Sequence, residues 1–347
     1  MNIKRLETSR LFHRFGFGPR PGEYAQALKD GVQTTRTRLT TVPATLTTST
    51  PVALPVITDL GKRPKENTPD IVPFALAMRN QTQQIGLWWL DMMALSDHGL
   101  TERMVWFWHG HWATSIQKLN YALPMYKQNQ LFRTHALGNF NAMTKAMLND
   151  GALQFWLDGQ DNTAKAPNEN LGRELMELFV LGVNRYSEDD VKAISRVLTG
   201  YQVEKSSGVV TINQNRRDTN PVTLLGKTGS FTGDSLTDFL VARDDCATFI
   251  SERLWYRFIS STETMPTSFS AKKGFATRDI ATTIQAMAAD PSMSDEKYAM
   301  VKSPVEWFIS ACRALELTPS ALKTTGQLNN HLDKLGQVPF NPPNVGG

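Results

Sequence analysis

The residues most able to do chemistry fall in two short stretches. His109-Gly110-His111 is the only closely spaced histidine pair, and residues 169–177 set three carboxylates, Glu169, Glu174 and Glu177, around the guanidinium of Arg173. Two imidazoles and a carboxylate form a ligand set for a divalent metal, so His109, His111 and Glu174 are candidate metal ligands. That requires the backbone to extend or break at Gly110, because on a continuous helix the two rings point about 200° apart. The helical spacing of Val105, Trp108 and Trp112 favours the continuous helix, with at least one imidazole in a hydrogen-bonded polar network. Without a metal, Glu169 or Glu174 can act as general acid or base beside His109, with Arg173 orienting a carboxylate. The competing use of the same groups is an ion-pair network through Glu169–Arg173, Asn170–Glu174 and Arg173–Glu177, each four residues apart. Three carboxylates against one arginine need a further cation if that face is buried, and Arg103, a protonated His109 or a bound metal could supply it.

The element that positions the carboxylates reads as one helix, opened by Pro167 and Asn168 and closed by Gly182. Its polar residues share an arc opposite Leu171, Leu175, Leu178 and Phe179, while Met176, Val180 and Leu181 crowd into that arc, so its second half is apolar nearly all round. Such a helix is buried. The histidines sit on a helix predicted over 101–115, preceded by a long apolar one over 73–96. Six of the eight tryptophans lie between Trp88 and Trp156, which places the core in the first half of the chain. Tryptophans at helical spacing line a pocket less often than they fill a core.

Helices are also predicted over 3–15, 21–30, 123–136, 139–149, 151–157, 187–200, 234–241, 244–259, 277–289 and 304–317. Ser187 and Asp190 have the spacing of a capping box. Residues 43–72, rich in Thr and Pro, read as an irregular loop or lid, and 201–231 as a small β-hairpin insertion carrying the β-prone run Val209–Asn213. The expected fold is therefore mainly α, a multi-helix orthogonal bundle. It divides into a Trp-rich core over 1–200, a β insertion over 201–232 and a C-terminal helical lobe over 233–347. A chain of 347 residues is long enough for more than one core.

Composition excludes several classes. The net charge of +4 is spread without a basic block, so no nucleic-acid partner is expected. No apolar run approaches the length of a membrane span, and the amino terminus lacks the apolar centre of a secretion signal, so the chain as written reads as cytoplasmic. Cys246 and Cys312 lack metal-ligand spacing and suit small buried hydrophobes. There is no serine-nucleophile elbow, phosphate loop or dinucleotide fingerprint, and Gly226-Lys-Thr-Gly229 reads as a turn.

Five ordered segments carry a family likeness: Arg10-Leu-Phe-His-Arg-Phe-Gly-Phe-Gly-Pro19, Arg103–Ser115, Asn168–Phe179, Leu198-Thr-Gly-Tyr201 and Pro339-Phe-Asn-Pro-Pro-Asn-Val345. Together they resemble the bacterial family named domain of unknown function 1800, across nearly the whole chain. The resemblance implies an α-rich fold and, in many members, export to the envelope beside a sulfatase-like partner. It supplies no reaction. Members often begin with an export signal and continue beyond the Pro-Pro-Asn-Val segment, so a C-terminal truncation is expected. Two functions compete. One is a hydrolase or lyase, metal-assisted or purely acid–base, using Glu169, Glu174, Arg173 and His109 or His111. The other is a non-catalytic envelope or assembly protein that binds the sulfatase-like partner.

Overall fold

The computed structural model describes residues 3–41, 52–322, 325–344 and 346. The first part of the expected 43–72 loop and the terminal Val345 of the Pro-Pro-Asn-Val segment lie outside the described residues. The fold is mainly α-helical, and the described strands form two small antiparallel hairpins within 201–229, where the β insertion was expected. Tyr201–Glu204 pairs with Val209–Ile212, and Val222–Leu224 with Lys227–Gly229. The second hairpin turns at Leu225 and Gly226, both at positive φ, as a two-residue turn matched to strand twist requires.

At the centre lies the tryptophan helix, Gly99–His111, on which every residue from Leu100 to His109 is buried. The long helix Ile71–Leu95 packs beside it, burying Trp88 and Trp89, and Ala122–His135 packs on both. Burying Glu102 in this core is made possible by Arg133. Its Nε and Nη2 donate to the two carboxylate oxygens at 2.6 and 2.9 Å, and Trp89 Nε1 donates to the same carboxylate at 3.2 Å.

The tryptophan helix stops at His111, four residues before the expected end. Ser115 then caps the short helix Ile116–Leu119, its Oγ accepting from Gln117 N. The capping box at Ser187 and Asp190 opens Glu188–Val197 as its spacing indicates.

Chain ends and middle are joined by arginines. Arg10 donates to the carbonyls of Met293, Asp295 and Tyr298, and Arg313 donates to those of Gly18, Ala94 and Ser96. Val32–Thr40 and Thr325–Lys334 are helices that periodicity does not reveal, the first because it is threonine-rich and the second because only Leu328 and Leu332 are apolar. Among the described residues no helix is long and apolar enough to cross a membrane.

Candidate functional site

Two cavities open on either side of the end of the tryptophan helix, and each takes one of the paired histidines. Gly110 is helical, so the turn between them is unbroken. His109 rests against Trp89, Trp106 and Phe340, whereas His111 rests against Phe107, Trp108, Trp112, Phe140, Phe179 and Phe249. With no shared neighbour, the rings diverge as a continuous helix dictates.

The first cavity has a volume of about 50 Å³ and is partly open to solvent. Arg103, Trp106, Phe107 and Gly110, at helical spacings of three and four, make one wall, with His109 at its edge. Arg257 and Phe258, at the end of the helix Asp244–Phe258, make a second wall, and Glu306, in the first turn of Pro304–Ala314, closes a third side. The segment from Gln337 to Pro343 covers it. That cover is fastened to the start of the short helix Ile116–Leu119: Ile116 N donates to Phe340 O at 2.9 Å and Ser115 Oγ to Asn341 Oδ1 at 2.8 Å. Phe340 is held at φ 64, a left-handed conformation that costs a bulky residue on the order of 1–3 kcal/mol. Its ring, 4.9 Å from that of Trp89, secures the strained turn.

Within this cavity Arg103 forms an ion pair with Glu306 and donates through Nε to Arg14 O at 3.2 Å and through Nη2 to Arg257 O at 3.3 Å. Its guanidinium lies between the rings of Phe17 and Phe258. His109 is neutral at physiological pH, because burial pushes its pKa down to about 3, and its Nε2 has no hydrogen-bond partner among the described residues. Three of the five family segments thus meet here: 10–19 through Arg14 and Phe17, 103–115 as the wall, and the last through Asn341, Pro342 and Pro343 in the cover.

The second cavity, about 280 Å³, is bordered by His111, Glu177, Arg185, Phe249, Glu252 and Arg253. His111 Nε2 donates to the free carbonyl of Phe179 at 2.9 Å, which leaves Nδ1 as an acceptor, and that atom is buried without a partner. Burial first and then the charge of Arg253 lower its pKa to about 3. The helix expected over 167–182 supplies the facing wall but changes character on the way. Asn170–Glu174 is α-helical, and Leu175–Val180 widens into a π turn, with Leu181 N and Gly182 N both donating to Met176 O. Widening the turn buries Met176, Val180 and Leu181, which had crowded the polar arc. Gly182, at φ 91, ends it.

The predicted carboxylates separate along this helix. Arg173 pairs with Glu169 at 3.1 Å and with Glu188 at 2.7 Å, a cluster at the surface. Glu174 is half-buried, with its pKa raised by burial and then by Glu177, and it borders neither of the two cavities. Glu177 does reach the second cavity and accepts the Tyr186 hydroxyl, whose pKa burial and this contact push up to about 12. The structure therefore brings the helix beside His111, through Phe179 O and Glu177. It does not gather His109, His111 and Glu174 around one point. Among the described residues no group of three or more His, Cys, Asp and Glu side chains is placed to hold a metal ion. Nor do Arg103 and His109 supply the further cation: Arg103 is committed to Glu306 and His109 is uncharged. Arg185 and Arg253 stand on the cavity that Glu177 shares.

Glu306 and Arg257 had no signal of their own in the sequence. Ser303-Pro304-Val305-Glu306 has the spacing of a capping box, of which the structure forms one half, Ser303 N donating to Glu306 Oε2 at 3.4 Å, and Arg257 is one basic residue on an amphipathic helix. No curated protein and no solved structure matches the chain. The likeness carried by the five segments extends to the whole fold: over residues 10–347 the chain matches the family described as Protein of unknown function (DUF1800), and it belongs to that family.

Proposed function

We propose that the protein is an acid–base enzyme, a hydrolase or lyase, whose active site is the cavity between Arg103, His109, Arg257 and Glu306. The observation that supports this most directly is the buried Nε2 of His109, unpartnered among the described residues, on a partly open cavity that also holds an ion-paired carboxylate. Buried polar atoms are almost always satisfied, so an orphan beside a cavity marks a place for a water or a ligand. In this reading Glu306 takes the proton, Arg103 fixes the orientation of its carboxylate, and His109 hydrogen-bonds the substrate or the attacking water. These are the roles first expected of Glu174 and Arg173, moved to a different carboxylate and a different arginine. Aromatic walls from Trp106, Phe107 and Phe258 suit a planar or apolar substrate body.

The test is incubation of the purified protein with a pool of small metabolites, read by mass spectrometry. A hydrolase yields products whose summed composition exceeds the substrate's by one water; a lyase yields two fragments that sum to the substrate. Consumption that disappears in Glu306→Gln supports the assignment, and identical profiles for the protein and for buffer contradict it.

A second reading, the assembly protein that binds a sulfatase-like partner, draws on Trp307 and Val301, which stand 61% and 93% exposed close to Glu306. Stable complex formation with such a partner, lost in Trp307→Ser, would favour it.

A further inference from the structure

The charge inside the first cavity does not balance. Its charged lining residues are Arg103, Arg257 and Glu306, and the one carboxylate is already bound by Arg103. Among the described residues the Arg257 guanidinium makes no hydrogen bond or ion pair, although it is partly buried; burial and the charge of Arg103 lower its pKa, and the nearby charge of Glu306 opposes them. It lies against the tryptophan helix at Gly110, where a Cβ would stand 3.4 Å from Arg257 Nη2, an ordinary contact distance. Lys302 also feels Glu306, but it does not line the cavity and its Nζ donates to Ser310 Oγ. Among the described residues the cavity thus presents one positive charge in excess, on a planar fork that matches a carboxylate, beside Trp106, Phe107, Phe258, Pro342 and Pro343.

We propose that the cavity binds a planar organic monocarboxylate, its carboxylate on Arg257 and its flat apolar body against Trp106 and Phe107. A single free guanidinium balances one negative charge. A phosphate dianion would bring two and would leave the aromatic walls uncovered. The proposal rests on reading this cavity as the active site and narrows its substrate to one class.

The experiment is calorimetric titration of the full chain with benzoate, benzamide and inorganic phosphate, repeated on Arg257→Met. Benzoate is expected to bind at least tenfold more tightly than benzamide, its neutral twin, and to lose at least tenfold in affinity in Arg257→Met. The comparison of benzoate with benzamide needs no variant, so it decides even if Arg257→Met fails to fold. No benzoate binding, equal binding of benzamide, unchanged binding in the variant, or phosphate bound in preference to benzoate would each overturn the proposal. Binding is read without turnover. Arg257-dependent benzoate binding in a protein that consumes no substrate would therefore refute the enzyme reading and keep the anion site.

Discussion

Lowering the pH from 7 to 5 protonates histidines in the unfolded chain that the folded protein holds neutral. His109 and His111 are both buried, with pKa values pushed down to about 3 from the ordinary 6.5. A group whose folded pKa lies below its unfolded one binds more protons when unfolded, so stability falls as the pH drops below 6.5 and continues to fall towards 3. Each histidine costs about 1.4 kcal/mol per pH unit in that window, hence about 2 kcal/mol at pH 5 and about 4 kcal/mol for the pair. Asp150 acts in the opposite sense. Burial raises its carboxyl to about 6, so the folded state takes up its proton first and regains about 1.4 kcal/mol between pH 6 and 5. The expected net loss is about 3 kcal/mol. His13, His98 and His135, also lowered by burial, add to it. Urea denaturation at pH 7, 6 and 5 measures the loss directly. His109→Phe, which suits a site lined by Trp89, Trp106 and Phe340, should remove about 2 kcal/mol of it. Stability that is flat between pH 7 and 5, or a variant that loses as much as the parent, would refute the burial of these imidazoles as neutral groups.

Other perturbations probe the frame around the site. Glu102→Gln leaves Arg133 charged, buried and unpaired, and should cost about 3–5 kcal/mol in denaturant unfolding; changing both residues to leucine and methionine should cost far less. Gly151→Ala would drive a Cβ to 2.2 Å from Gly208 O, a backbone atom that cannot swing aside, and should lower stability by about 1–3 kcal/mol. Glu174→Gln removes one of two neighbouring half-buried carboxylates, so stability near neutral pH should hold or rise, whereas a clear loss would show that Glu174 anchors an ion pair after all.

Local rules carried much of the fold. Caps at Ser187, the stop at Gly182 and apolar periodicity mark helices because they act over a few residues of chain. The crowding of Met176, Val180 and Leu181 into a polar arc already signalled burial, yet the π turn that accommodates them depends on neighbours from other segments. Long-range pairs were invisible for the same reason. Glu102 meets Arg133 across 31 positions, and the cavity joins residues 103, 257, 306 and 341 from four distant segments. His109 was legible because a paired histidine is rare in sequence. Glu306 was not, because a carboxylate three residues after a serine marks a helix start wherever it occurs.

In the proposed function the reacting carboxylate stands on the helix Pro304–Ala314, across the cavity from His109, and not on the helix that carries Glu169 and Glu174. The measurement that tests it most directly is substrate consumption by Glu306→Gln and Glu174→Gln side by side, each shown to be folded. Consumption is expected to be lost in Glu306→Gln and retained in Glu174→Gln; loss in Glu174→Gln with retention in Glu306→Gln would overturn the assignment of Glu306.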